Sequence, residues 1–295
     1  MTHESNRSRL GLILSMSIFG TIGIFRRYLP LPSGVIAFAR GVIGTLFLLL
    51  LVAVTKKGIS RSSIRKNLWK LLLSGGLIGL NWVLLFEAYR YTSVATATLC
   101  YYMAPIFVIA ASPFVLRERL SGKQGACVVV ALLGMVAVSG VLEGGDVDAR
   151  GILFGLGAAM LYASVVVINK TLGEIAAYDK TIVQLAAASV VILPYMLLAE
   201  EIVWSAFTPL VCLVLLLVGV LHTGVAYALY FGSMSGLSAR SVALLSYLDP
   251  VVAIVLSAFL LGEWPSVITW IGACLVLGSS VVSELPQKRR PESKN

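Results

Sequence analysis

Three ionisable side chains stand inside apolar runs, where keeping a charge costs several kcal/mol unless it is paired, hydrated or used. They are Arg40 in IAFARGVIG, Glu87 in VLLFEAYR and Asp249 in SYLDPVV. The Arg40 guanidinium suits a bidentate contact with a carboxylate; a structural pair with Glu87, or snorkelling to the outer surface, is the alternative. Glu87 could carry a proton in exchange for a solute, or simply pair with Arg90 or Arg40. Asp249 suits a proton or amine site, or a bond to backbone released by the next residue, Pro250. Pro250 has a counterpart in Pro105. Each proline removes a backbone donor and crowds the carbonyl four residues earlier. Inside a membrane such released backbone is tolerated only where protein or a cavity covers it. A hinge or cavity wall is expected at both, with a fixed packing kink as the bland alternative.

Aromatic residues fall at helical spacing beside these groups. Gly75, Gly79, Trp82, Phe86 and Tyr89 share one helix face. Gly224, Tyr227, Phe231 and Met234 repeat the pattern. The glycines would let helices approach closely. The aromatics, with Tyr101, Tyr102 and Tyr247, suit either a cavity that holds an organic solute or plain packing. Asn81 and Gln184 are neutral polar candidates, and His222 reads as a hydrogen-bonded structural residue. The substrate-binding set is therefore Arg40, Asn81, Trp82, Tyr101, Tyr102, Tyr227 and Tyr247. The coupling or gating set is Glu87, Pro105, Asp249 and Pro250. No metal site or cofactor is expected, since His3 lies in a polar stretch far from His222.

The elements that must position these residues are membrane helices. The chain of 295 residues is 58% hydrophobic and only 13% charged, against about 25% charged in soluble domains. Ten spans of roughly 20 apolar residues can be marked: about 9–28, 33–55, 68–90, 94–116, 122–142, 150–170, 180–199, 205–233, 238–261 and 264–284. The first reads as a retained helix, since Arg26 and Arg27 follow it and no small-residue cleavage site does. The four Cys lie in apolar runs and read as buried small residues, not a disulfide framework. The connections are short, which leaves no room for a soluble catalytic module. With the N-terminus inside, 18 of the 23 basic residues fall in cytoplasmic segments. Both termini are then cytoplasmic. That clustering between apolar runs also argues against nucleic acid as a partner of this +9 chain.

The stretch 79–118 aligns without a gap onto 224–263, with 12 of 40 positions identical, among them Ser93/Ser238, Tyr102/Tyr247, Pro105/Pro250 and Glu118/Glu263. Ile18-Phe19-Gly20 resembles Leu161-Tyr162-Ala163, and Gly125-Ala126-Cys127 matches Gly272-Ala273-Cys274. The chain therefore reads as a duplication: residues 1–145, residues 146–285 and a basic tail at 286–295. Five helices per copy put the second copy into the membrane upside down, the arrangement secondary transporters use. Glu118 and Glu263 would cap helix ends, and Arg26, Arg27 and Lys170 would snorkel.

On these residues the chain resembles the drug/metabolite transporter superfamily, in its ten-helix EamA-type branch. The resemblance rests on the small-residue starts at Ser93 and Ser238, the prolines Pro105 and Pro250, and the apolar ends at Glu118 and Glu263. It implies an all-α membrane protein, ten helices in two inverted five-helix repeats around a central cavity, working by alternating access. It also implies a multi-pass protein of the bacterial cytoplasmic (inner) membrane. The partners would be a small-molecule substrate and the lipid bilayer, with the protein a monomer or homodimer. The function expected is export of an amino acid or related metabolite, with multidrug efflux or uptake as the alternative. Amino-acid export calls for a cation and an acceptor in one pocket; multidrug efflux calls for an aromatic cavity with an unpaired carboxylate. An intramembrane enzyme is disfavoured by the lack of an HExxH motif or paired acids, and a channel by the repeat.

Overall fold

The computed structural model describes residues 3–56, 58–91, 97, 100–117, 121–138, 148–262, 264 and 266–284. Within them the chain is helical and carries no strand. The helices are α1 (His3–Gly20), α2 (Ile22–Arg26), α3 (Ser33–Val54), α4 (Arg61–Tyr91), α5 (Ala104–Val115), α6 (Gly122–Val138) and α7 (Ala149–Lys170). They continue as α8 (Ala177–Ala199), α9 (Pro209–Leu217), a π-helical segment Val218–Val225, α10 (Ala226–Ser233), α11 (Ala239–Leu245), α12 (Leu248–Leu261) and α13 (Val267–Glu284). Glu118, Glu263, the residues 92–96 that include Ser93, the loop residues 143–147 and the tail 286–295 lie outside the described residues.

Seven helical stretches are long and apolar enough to cross a membrane, and three shorter apolar helices, Ala104–Val115, Gly122–Ala137 and Val267–Ser279, fall where the remaining expected spans lie. Large apolar side chains such as Phe114, Leu198 and Trp204 point outward, 88%, 87% and 78% exposed, as lipid-facing residues do. One boundary differs from expectation. The polar stretch 56–67 is a loop only to Ser60, because Ser60 starts α4 early: its hydroxyl accepts from Ser63 N at 3.4 Å and its backbone N–H donates to Asp179 at 3.1 Å.

The packing repeats between the halves. α4 packs on α7 as α10 packs on α1. α4 packs on α8 as the π segment packs on α3, and α5 on α7 as α12 on α1. α3 with α8 and α6 with α13 pair across the middle. Exchange of the two halves leaves this set unchanged. Close approach depends on glycine at two crossings: a Cβ on Gly75 would lie 2.5 Å from Gln184 O, and one on Gly44 would lie 3.1 Å from Gly224 N. The aligned residues Arg117 and Gly262 both stand in the left-handed region, at φ 55° and 70°, where a helix end commonly turns away.

Candidate functional site

The prolines end helices more sharply than a kink would. The chain turns at Tyr102–Met103, and Pro105 sits in the first turn of α5. It turns again at Ser246–Tyr247, and Pro250 sits in the first turn of α12. A first-turn proline loses no ladder bond, since that N–H has no partner in a helix anyway. Ile106 N bonds Met103 O at 3.0 Å instead of Tyr102 O. The Tyr102 carbonyl so released accepts the Tyr247 hydroxyl at 3.1 Å. The two symmetry-related tyrosines thus differ. Tyr247, 1% exposed, ties the two broken helices together, while the Tyr102 side chain faces a cavity.

That cavity has a volume of about 190 Å³. Arg40, Trp82, Tyr101, Tyr102, Tyr227, Pro105 and Asp249 line it, joined by Phe19, Phe86, Tyr162 and Ser246. Seven of the eleven residues singled out in the sequence therefore meet in one place. Three aligned pairs contribute from both copies: Trp82 with Tyr227, Tyr101 with Ser246, and Ala104 with Asp249. Phe19 and Tyr162 add another pair, not selected above although the repeat aligned them. Their signal was an aromatic at one position of both copies. Tyr162 donates to the Tyr230 hydroxyl at 2.6 Å, which holds its ring in place.

Arg40 is held by the π segment. A π turn advances by one residue more than an α turn and often marks a functional site. Here it aims the Thr223 hydroxyl at α3, where it accepts from Arg40 Nε at 2.9 Å, while Thr223 itself donates to Val218 O at 3.3 Å. The Gly44–Gly224 crossing sets this approach. The guanidinium also lies 5.1 Å from the centroid of the Trp82 ring, a cation–π contact. Trp82 and Tyr227 meet edge to face at 6.3 Å. Among the described residues Arg40 forms no ion pair, and neither does Asp249. Asp249 stands in the first turn of α12, where unbonded amides favour a carboxylate. One cavity therefore holds an unpaired cation and an unpaired carboxylate between aromatic walls.

The other candidates sit elsewhere. Glu87 accepts from Arg90 at 3.0 Å and from the Tyr195 hydroxyl at 2.9 Å, so it is paired away from the cavity and away from Arg40. Asn81, 1% exposed, donates to Ala158 O at 2.7 Å and joins α4 to α7. Pro250 is buried and does not line the cavity. His222 meets Thr21 Oγ1 at 2.7 Å, the structural role expected of it. Lys170 does not snorkel: its ammonium donates to the carbonyls of Met234, at 2.8 Å, and Leu237. Arg26 likewise turns back onto the carbonyls of Leu29 and Leu31.

A second space of about 590 Å³ adjoins the cavity and runs toward Arg26, Ser33 and Tyr89 at the end poor in basic residues. Its wall shares Ile22, Arg40, Leu85 and Phe86 with the cavity, so Arg40 stands between the two. In the other direction the route is shut. Phe231 and Met234, aligned with Phe86 and Tyr89, are 0% and 1% exposed. Ala188 of α8 meets Gly79 as Gly44 of α3 meets Gly224, which puts Gln184 in the place of Arg40; Gln184 donates to Ser74 Oγ at 2.6 Å and Asn169 Oδ1 at 3.2 Å. These bonds join α8, α4 and α7.

The comparisons with known proteins fit this arrangement. The model of the EamA-like transporter family matches twice, over residues 7–140 and 149–284. An uncharacterized transporter of Bacillus subtilis, YxxF, is 27% identical over 286 residues, covering 95% of this chain and 90% of its own. Protein PecM of Dickeya dadantii is 31% identical over 227 residues, covering 73% of each chain. A solved crystal structure superposes with a TM-score of 0.82 at 21% identity, over 94% of this chain and 96% of the other; at that identity the likeness shows the fold.

Proposed function

This chain belongs to the EamA-like transporter family, and we propose that it carries a small zwitterionic solute, an amino acid or close relative, across the bacterial cytoplasmic membrane by alternating access. The observation that carries this reading is the pair of unpaired charges, Arg40 and Asp249, in one aromatic cavity. A zwitterion would satisfy both: its carboxylate takes the guanidinium and its ammonium takes the Asp249 carboxylate. The cavity volume of about 190 Å³ is enough for a small metabolite. Trp82 and Tyr227 would pack on the apolar part of the solute.

The exchange-symmetric packing and the twofold family match support ten helices in two inverted repeats. The space past Tyr89 and the packed route past Met234 correspond to an outward-open state. Both termini are then cytoplasmic, and export would end in this state.

Purified protein in liposomes tests the reading. Labelled amino acids should move down their gradient. Arg40→Gln and Asp249→Asn should each cut flux about tenfold or more, the scale of one lost charge-assisted contact. The two changes should differ in which solute end they affect: Arg40→Gln should weaken competition by carboxylates, and Asp249→Asn competition by amines. Absence of flux for every amino acid would overturn the substrate class.

A further inference from the structure

We propose a second anion site, apart from the central cavity and independent of the reading above, for a phosphate-bearing group at the basic end of the molecule. It lies under the loop between α7 and α8, in a pocket of about 590 Å³ lined by Ser63, Asn169, Lys170, Glu174, Lys180 and Ser235 among others. Lys180 is the centre of it. The residue is only 5% exposed, yet among the described residues nothing accepts a hydrogen bond from its ammonium group and nothing pairs with it. Its ammonium is not sealed in but opens onto the pocket it lines, and a largely desolvated cation is stabilised by an opposite charge placed there.

The surroundings suit an oxyanion. α8 begins at Ala177 behind Ala176, whose methyl group cannot cap it, and both Ala176 and Lys180 line the pocket. The free amides of that first turn and the end of the helix dipole favour a phosphate. Lys170 adds a second positive charge, fixed by its bonds to the Met234 and Leu237 carbonyls. Two carboxylates stand near. Asp179 does not line the pocket and accepts from Ser60 N at 3.1 Å through one oxygen; Glu174 is exposed at the rim and unpaired. The volume exceeds that of a bare anion and leaves room for an organic phosphate or a lipid head group.

The test uses full-length protein in nanodiscs and thermal unfolding followed by tryptophan fluorescence. In neutral phosphatidylcholine discs, inorganic phosphate or glycerol 3-phosphate should raise Tm saturably, and Lys180→Met should weaken that response about tenfold or more. If the source is lipid, discs containing phosphatidylglycerol should raise the Tm of the wild type, but not of Lys180→Met, and should blunt the response to soluble phosphate. Lys180→Met should fold with an undiminished Tm in neutral discs, since it removes a desolvated charge; Lys180→Gln serves as a second variant. Lys123→Gln, a cation on another helix, should respond as the wild type does. The proposal fails if neither phosphate nor anionic lipid raises Tm, if the Lys180 variants respond like the wild type, or if Lys123→Gln loses the response equally.

Discussion

Arg40 and Asp249 would each be cheaper to the fold as apolar residues. Glu87, by contrast, has found Arg90 and Tyr195. Position in the sequence did not separate these cases, since all three lie in apolar runs. What separates them is whether a partner reaches them, and partners come from distant helices. The same holds for the tyrosines. Tyr247→Phe should leave the released Tyr102 carbonyl unbonded in the interior, costing about 1–3 kcal/mol, and should lower Tm while the affinity of the folded protein for substrate is retained. Trp82→Ala should do the reverse. It removes the face under Arg40 and an edge of Tyr227, so substrate affinity should fall about 5–30-fold, the cation–π and aromatic contacts together supplying about 1–2 kcal/mol. Retained detergent-extracted yield with lost transport would separate the two cases; unchanged flux in Trp82→Ala would remove it from the site.

At the scale of the element, the apolar runs and the repeat were legible because spans and duplication are written in composition and spacing. Breaks were not. Pro105 and Pro250 announced irregular backbone, but nothing local says that a helix stops and restarts at Tyr102–Met103 and Ser246–Tyr247. That outcome depends on Tyr247 reaching the freed Tyr102 carbonyl across the crossing of the two helices. The π segment was equally silent: its sequence VGVLHTGV is ordinary for a membrane helix, and its width is read only from the backbone, where Ala226 N bonds Leu221 O five residues back. Pro105→Ala tests the first break. Alanine restores a backbone donor and favours a continuous helix. The expected result is a turnover reduced severalfold with KM little changed, since the cavity residues stay while the joint stiffens. A KM effect alone would place Pro105 in the wall and not in the hinge.

Taken whole, the molecule is two similar halves caught in unlike states. Phe86 and Tyr89 border open space while their counterparts Phe231 and Met234 are sealed. Arg40 faces the cavity while Gln184, its counterpart, is locked to Ser74 and Asn169. If transport exchanges the two roles, the Gln184 bonds must break whenever the basic end opens. Each is worth about 1 kcal/mol net, so Gln184→Leu should shift the balance toward the opposite state by about 1–2 kcal/mol, or about 5–30-fold in population. Cysteine labelling reads this directly. In a background with Cys100, Cys127, Cys212 and Cys274 replaced by Ala, Met234→Cys should react slowly with a water-soluble maleimide and Phe86→Cys quickly. Adding Gln184→Leu should speed the first by that factor and slow the second by less, since a minority state gains more in proportion than the majority loses. If both rates stay as they were, the Gln184 bonds brace the fold and do not hold a gate.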